Sequence, residues 1–183
     1  MSTNDERDPA GAQPTSDHDA AAPAPRTTTF NILFVCTGNT CRSPLAEGIA
    51  RDELARRGWR HVRVASAGLA ARGGSGASPE AVTVAGRYGI DLSGHSSQPL
   101  TPELAAWADL ILGMGPSHLA ALDRIGGADK AATLGDFVAG ADGAGDPVAD
   151  PYGGPEEVYE ATFRELRDLI SAALDRLSPI LSP

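Results

Sequence analysis

Phe30-Asn31-Ile32-Leu33-Phe34-Val35-Cys36-Thr37-Gly38-Asn39-Thr40-Cys41-Arg42-Ser43-Pro44 is a nearly continuous apolar run that breaks into a small polar loop and then into Ser-Pro. Apolar residues from Phe30 to Val35 without polar alternation are the pattern of a strand buried on both faces, as in parallel sheets covered by helices on each side. Ser43 followed by Pro44 offers an N-cap and a proline at the first helical position. Leu45, Ile49 and Leu54, with Ala46 and Ala50 between them, form a core-facing stripe, which predicts a helix from about Ser43 to Arg57 stopped by Gly58.

Outward from this unit the alternation continues. A strand is predicted over His61–Ser66, then a Gly-rich loop through Gly76, a helix from Ser78-Pro79 ending near Gly89, and a short helix opened by Thr101-Pro102-Glu103. Asp109–Met114 reads as a buried strand, Pro116–Arg124 as a helix and Ala131–Leu134 as a short fourth strand. The last helix runs from Pro155 to about Leu177, with Val158, Phe163, Leu166, Leu169 and Ile170 at helical spacing. Strands separated by helices, without hairpin signals, imply right-handed crossovers. The expected fold is therefore α/β, doubly wound, with a parallel sheet of about four strands and helices on both faces. Ligands of such sheets bind at the carboxyl ends of the strands, which directs attention to the loop after Val35.

Residues 1–28 mix Ser, Thr, Asp, Pro and Ala without periodic apolar positions and are expected to be a disordered acidic tail, leaving 29–183 as one domain. The 42% hydrophobic and 21% charged content is that of an ordinary globular chain. A net charge of −9 argues against a nucleic-acid backbone as partner. Two cysteines, Cys36 and Cys41, are too few for a disulfide framework or a structural zinc site and suit a reducing compartment. With no long apolar span and no signal-peptide layout, the expected location is cytoplasmic, with no membrane partner.

A loop running into a helix N-terminus directs several backbone N–H groups at one spot, and the helix dipole adds positive potential there. Residues Thr37, Gly38, Asn39, Thr40, Cys41 and Arg42 can thus cradle a phosphate dianion, with Gly38 and Asn39 suited to left-handed backbone values. Those N–H groups would also stabilise a Cys36 thiolate, making it the candidate nucleophile. Arg42 can grip two phosphate oxygens through its planar fork, and Ser43 can donate a hydrogen bond to the thiolate. The leaving group then needs an acid from another loop. Asp150, in Val148-Ala149-Asp150-Pro151-Tyr152-Gly153-Gly154, is favoured over Asp146-Pro147 because its aromatic and Gly-Gly neighbours suit a substrate rim; either pair alone can be a plain turn. No metal ligand set or cofactor is expected, since Arg42 and the loop amides can neutralise the charge. Cys41 is either a partner for a reversible disulfide with Cys36 or a small buried hydrophobe. His18, His61 and His118 have no evident partners.

CTGNTCRSP after ILFV, SAG at Ser66–Gly68, GIDLSGH at Gly89–His95, ADLILGM and DPYGG together resemble the low-molecular-weight protein tyrosine phosphatases, in order from Asn31 to the last helix. The resemblance implies a hydrolase acting through a cysteinyl-phosphate intermediate, with nucleophile, clamp and acid on Cys36, Arg42 and Asp150. It also implies a supporting network of Asn39, Ser43, Ser66 and His95. Thr40 and the Tyr152-Gly153-Gly154 rim resemble the bacterial protein-arginine phosphatase branch, which implies phosphoarginine or phosphotyrosine on a protein as substrate and inorganic phosphate as product. An arsenate reductase of the same fold would need a further cysteine to pass on its disulfide, and a phosphoprotein-binding module would need neither nucleophile nor acid.

Overall fold

The computed structural model describes residues 29–142 and 144–182; the acidic tail lies outside the described residues. Its elements are β1 (Phe30–Cys36), α1 (Arg42–Arg57), β2 (Val62–Gly68), α2 (Pro79–Arg87), α3 (Pro102–Trp107), β3 (Leu110–Gly113), α4 (Pro116–Ile125), β4 (Ala131–Thr133), α5 (Leu134–Ala139) and α6 (Glu156–Leu181). The four strands pair in parallel in the order β2-β1-β3-β4, so the chain winds outward from β1 on one side and then on the other. That switch point lies at the carboxyl end of β1, where the Cys36–Arg42 loop sits.

Alternate residues of β1 feed two cores. Ile32, Phe34 and Cys36 join Leu45 and Ile49 of α1, Val84 of α2 and Phe163, Leu166 and Ile170 of α6. Leu33 and Val35 point the other way, against Ala105, Ile111 and Leu122. This two-sided burial is why the apolar run shows no alternation.

Four details depart from the sequence expectations. Ser43 is not an N-cap: α1 begins at Arg42 behind Cys41, no side chain caps it, and the Ser43 hydroxyl is turned inward to Cys36. β2 extends two residues past Ser66, its pairing with β1 carried on to Cys36↔Gly68. The fourth strand ends at Thr133, whose hydroxyl accepts the Asp136 N–H at 3.0 Å and starts the unforeseen α5. Thr133 and Asp136 stand at capping-box spacing, so that signal was present in the sequence. Finally, α6 runs past Leu177 to Leu181 despite Pro179, because Leu177 and Leu181, one turn apart, are both buried and hold the last turn. None of the described helices is long and apolar enough to cross a membrane.

Candidate active site

The loop from Cys36 to Arg42 curls around one thiol. Cys36 ends β1, buried, and its Sγ accepts the Asn39 N–H at 3.3 Å and lies 2.9 Å from Ser43 Oγ. Ser43 Oγ already accepts from Asn39 Nδ2 at 2.9 Å, so the hydroxyl proton is left to donate. The sulfur at 2.9 Å is a nearer acceptor than the Ala67 carbonyl at 3.4 Å, so the Ser43 proton is directed at the Cys36 sulfur.

Asn39 is the knot of the loop. It alone among the described non-glycine residues has a positive φ, 55°, and it is fully buried. Its Nδ2 also donates to Ser66 Oγ at 2.9 Å, its Oδ1 accepts the Gln98 N–H at 2.8 Å, and its carbonyl accepts from His95 Nε2 at 2.8 Å. Ser66 Oγ in turn donates to Glu47 Oε2 at 2.6 Å. The structure thus brings Asn39, Ser43, Ser66 and His95 into one network. It adds Glu47 and Gln98, which sequence reasoning missed; Glu47 stands one helical turn after Ser43, a spacing that puts both on one face of α1. The left-handed turn falls on Asn39 only, since Gly38 does not adopt it. The glycine the loop requires is Gly68, where a Cβ would lie 2.7 Å from the Thr37 carbonyl oxygen and 2.8 Å from the Asn39 nitrogen.

Arg42 is 8% exposed and is the pocket's cation. Its Nη1 donates to the Val148 carbonyl at 3.2 Å and its Nη2 to Asp150 Oδ2 at 2.8 Å, while its buried Nε has no partner among the described residues. The acid loop is held in turn by the Val148 N–H on the Met114 carbonyl at the end of β3. Asp150 is half exposed, and Tyr152 stands 78% exposed beside it. Cys36, Thr37, Gly38, Thr40, Cys41, Arg42, Asp150 and Tyr152 line one cavity of about 220 Å³. Asp146 lines no part of it, so the two Asp-Pro pairs are distinguished by place. A larger cavity of about 520 Å³ lies around Trp59, Arg63 and Trp107 near the amino end of β2, and its lining contains no thiol, hydroxyl or carboxylate.

Both thiols are free. Cys41 Sγ lies 3.3 Å from the Tyr159 hydroxyl and 3.6 Å from Ser78 Oγ, packed in the core against α6 and α2. Burial and the bond to Cys41, opposed by Ser78, push the Tyr159 hydroxyl up to about 12. His118, left without a partner in the sequence reading, lies 3.2 Å from Thr37 Oγ1 through Nε2. No sequence spacing links residues 81 positions apart, so only the fold could reveal this pair.

The family model for low molecular weight phosphotyrosine protein phosphatase matches residues 31–181. The chain is 43% identical over 150 residues to a protein-arginine-phosphatase of Geobacillus stearothermophilus, covering 81% of this chain and 96% of that one. A solved low molecular weight protein tyrosine phosphatase from T. tengcongensis superposes with a TM-score of 0.75 at 44% identity, covering 81% of this chain and all of that one. A Cys-to-Ser variant of the YwlE arginine phosphatase, solved with its active-site serine phosphorylated, gives a TM-score of 0.77 at 38% identity over 82% of this chain and 97% of that one. A cysteine whose sulfur takes a loop amide and faces a serine hydroxyl, with a buried arginine in the same cavity, suits such covalent phosphoryl transfer, and this chain belongs to the low molecular weight phosphotyrosine protein phosphatase family.

Proposed function

We propose that the protein removes phosphate from phosphorylated proteins, with phosphoarginine preferred over phosphotyrosine, using Cys36 as nucleophile, Arg42 as clamp and Asp150 as acid and base. The observation that carries this reading is the meeting of all three around one 220 Å³ cavity, with the Ser43 hydroxyl 2.9 Å behind the sulfur. A phosphoryl dianion entering the cavity takes the place of the Asp150 carboxylate on the guanidinium and meets the unpartnered Nε, while Asp150, released from the cation, takes up a proton from solvent and turns to the leaving group. The Cys36 thiolate attacks phosphorus in line, the P–N or P–O bond breaks, and the departing nitrogen or oxygen takes the Asp150 proton. Asp150, now a carboxylate, accepts a proton from water as that water attacks the cysteinyl phosphate. The S–P bond breaks, the thiolate leaves with the Ser43 hydrogen bond, and inorganic phosphate is released.

Two features support phosphoarginine. Thr40 puts a hydroxyl on the cavity wall where a larger apolar side chain would narrow it, and Tyr152 is followed by Gly153-Gly154, so one aromatic wall stands alone. A single wall stacks less on a phenol ring than a pair would. The two free thiols support a reducing, cytoplasmic setting, and no nucleic acid or membrane enters this reading.

Turnover of matched phosphoarginine and phosphotyrosine peptides by wild type, Cys36→Ser and Thr40→Ile tests it. The expected result is a preference for phosphoarginine that Thr40→Ile shifts toward phosphotyrosine, and loss of turnover in Cys36→Ser with phosphate binding retained. A wild-type preference for phosphotyrosine would remove the narrower substrate assignment, and turnover undiminished in Cys36→Ser would remove the nucleophile.

A further inference from the structure

His118 stands in the first turn of α4 and is only 2% exposed. It reaches the site from the helix that follows β3, the strand beside β1, and its approach depends on Gly113, where a Cβ would lie 3.1 Å from the His118 Cβ. Its Nε2 is 3.2 Å from Thr37 Oγ1, while Nδ1 is shielded from water and has no partner among the described residues. Thr37 directly follows the nucleophile, its side chain lines the catalytic cavity, and its hydroxyl has no other hydrogen bond among the described residues.

Burial first, and then the Arg42 charge, hold the imidazole below the ordinary histidine range against the Gly115 backbone and then Asp150, so the ring is neutral at pH 7. A neutral imidazole carries one N–H, on one nitrogen or the other. Buried N–H groups without an acceptor are rarer than buried acceptors without a donor. The Gly115 carbonyl already accepts the His118 backbone N–H at 3.1 Å and makes no bond of hydrogen-bond geometry with Nδ1, so the proton belongs on Nε2, where Thr37 Oγ1 can accept it, and the lone pair on Nδ1. A hydroxyl that accepts this bond keeps its own proton to give. Thr37 is exposed and is one of the residues that line the cavity.

We propose that His118 is a positioning residue that fixes the Thr37 hydroxyl as a hydrogen-bond donor to the phosphorylated substrate. The assignment rests on the phosphatase reading and deepens it. The loop amides hold the phosphate in every orientation of the Thr37 side chain, whereas the hydroxyl adds a bond only in the rotamer that His118 selects.

A double-mutant cycle on Thr37→Val and His118→Leu, read as the inhibition constant of inorganic phosphate and as KM and kcat for an aryl phosphate, tests it. Each single change is expected to weaken phosphate about tenfold, the size of one hydrogen bond to a charged group. The double variant should be no weaker than either single, because both remove the same bond. Thr37→Ser and His118→Gln, which keep the hydroxyl and a donor N–H, should stay within about twofold of wild type on the same grounds. Unchanged phosphate affinity in Thr37→Val, or single losses that add in full, would overturn the assignment. Should His118→Leu fail to fold, Thr37→Val, at an exposed position, and the imidazole nitrogen shifts of wild type still decide, a proton on Nδ1 overturning it. If wild type itself lacked Cys36-dependent turnover, the phosphatase reading would fall first; full wild-type turnover with an additive cycle sinks His118 alone.

Discussion

Asp150 meets the guanidinium of Arg42 through one 2.8 Å bond from Nη2, and its other oxygen accepts the Tyr152 N–H at 3.3 Å. A carboxylate so placed on a loop, half exposed, can swing between the clamp and a leaving group without disturbing the core. Asp150→Asn keeps the shape and removes the transferable proton. We expect kcat to fall about 10²–10⁴-fold on substrates with poor leaving groups and much less on an activated aryl phosphate that needs no protonation. A leaving-group series measured for both proteins checks this, and equal losses across the series would take the acid role from Asp150. At this scale the sequence was informative because the candidate residues lie in one contiguous string plus one Asp-Pro pair. His118 and Gln98 were not legible, since their partners come from distant segments and a lone histidine or glutamine announces nothing.

The elements explain how that string is held in shape. β2 and β1 end side by side at Gly68 and Cys36, and the returning chain then bonds the loop twice, Leu69 N–H to the Cys36 carbonyl at 3.0 Å and Ala70 N–H to the Thr37 carbonyl at 2.8 Å. This leaves no volume beside Gly68. Gly68→Ala must push the backbone of Thr37 to Asn39 outward, at about 1–3 kcal/mol of overpacking strain. The expected outcome is a loss in kcat/KM larger than tenfold, together with a lowered melting temperature. Activity retained after Gly68→Ala would show that the loop does not lean on β2 as described. Periodicity and turn chemistry revealed the β1-to-α1 unit and the order of the other elements, because two-sided burial and Ser-Pro or Thr-Pro starts leave local marks. They did not reveal α5, whose six residues show no period and whose start at Thr133 was absorbed into the expected fourth strand, nor the last turn of α6, where burial of Leu181 outweighs the proline signal.

For the molecule as a whole, the site's charges bear on its stability. Folding buries His118 as a neutral ring near Arg42 and Asp150, so its folded pKa lies below the unfolded reference of 6.5. Below that reference the unfolded chain binds a proton that the folded chain refuses, so the stabilising contribution is complete above about pH 6.5 and is lost as pH falls through the lower folded value. Melting temperatures of wild type should therefore decline more steeply from pH 6.5 to 5 than those of His118→Gln, which has nothing to titrate there; parallel curves would contradict the burial argument. The doubly wound sheet was legible in outline because every strand is separated from the next by a helical pattern, whereas the distribution of helices between faces was not, since with right-handed crossovers it depends on the strand order, which local pattern does not carry. The bond between Arg42 and Asp150 has a kinetic meaning for the turnover of the intact enzyme. The carboxylate is a tethered competitor for the clamp, present at an effective concentration on the order of millimolar or above. Released phosphate must contend with this internal rival to rebind, while a phosphoprotein adds contacts of its own at the Thr40 and Tyr152 rim, so the pocket is biased to take up substrate and to let product go.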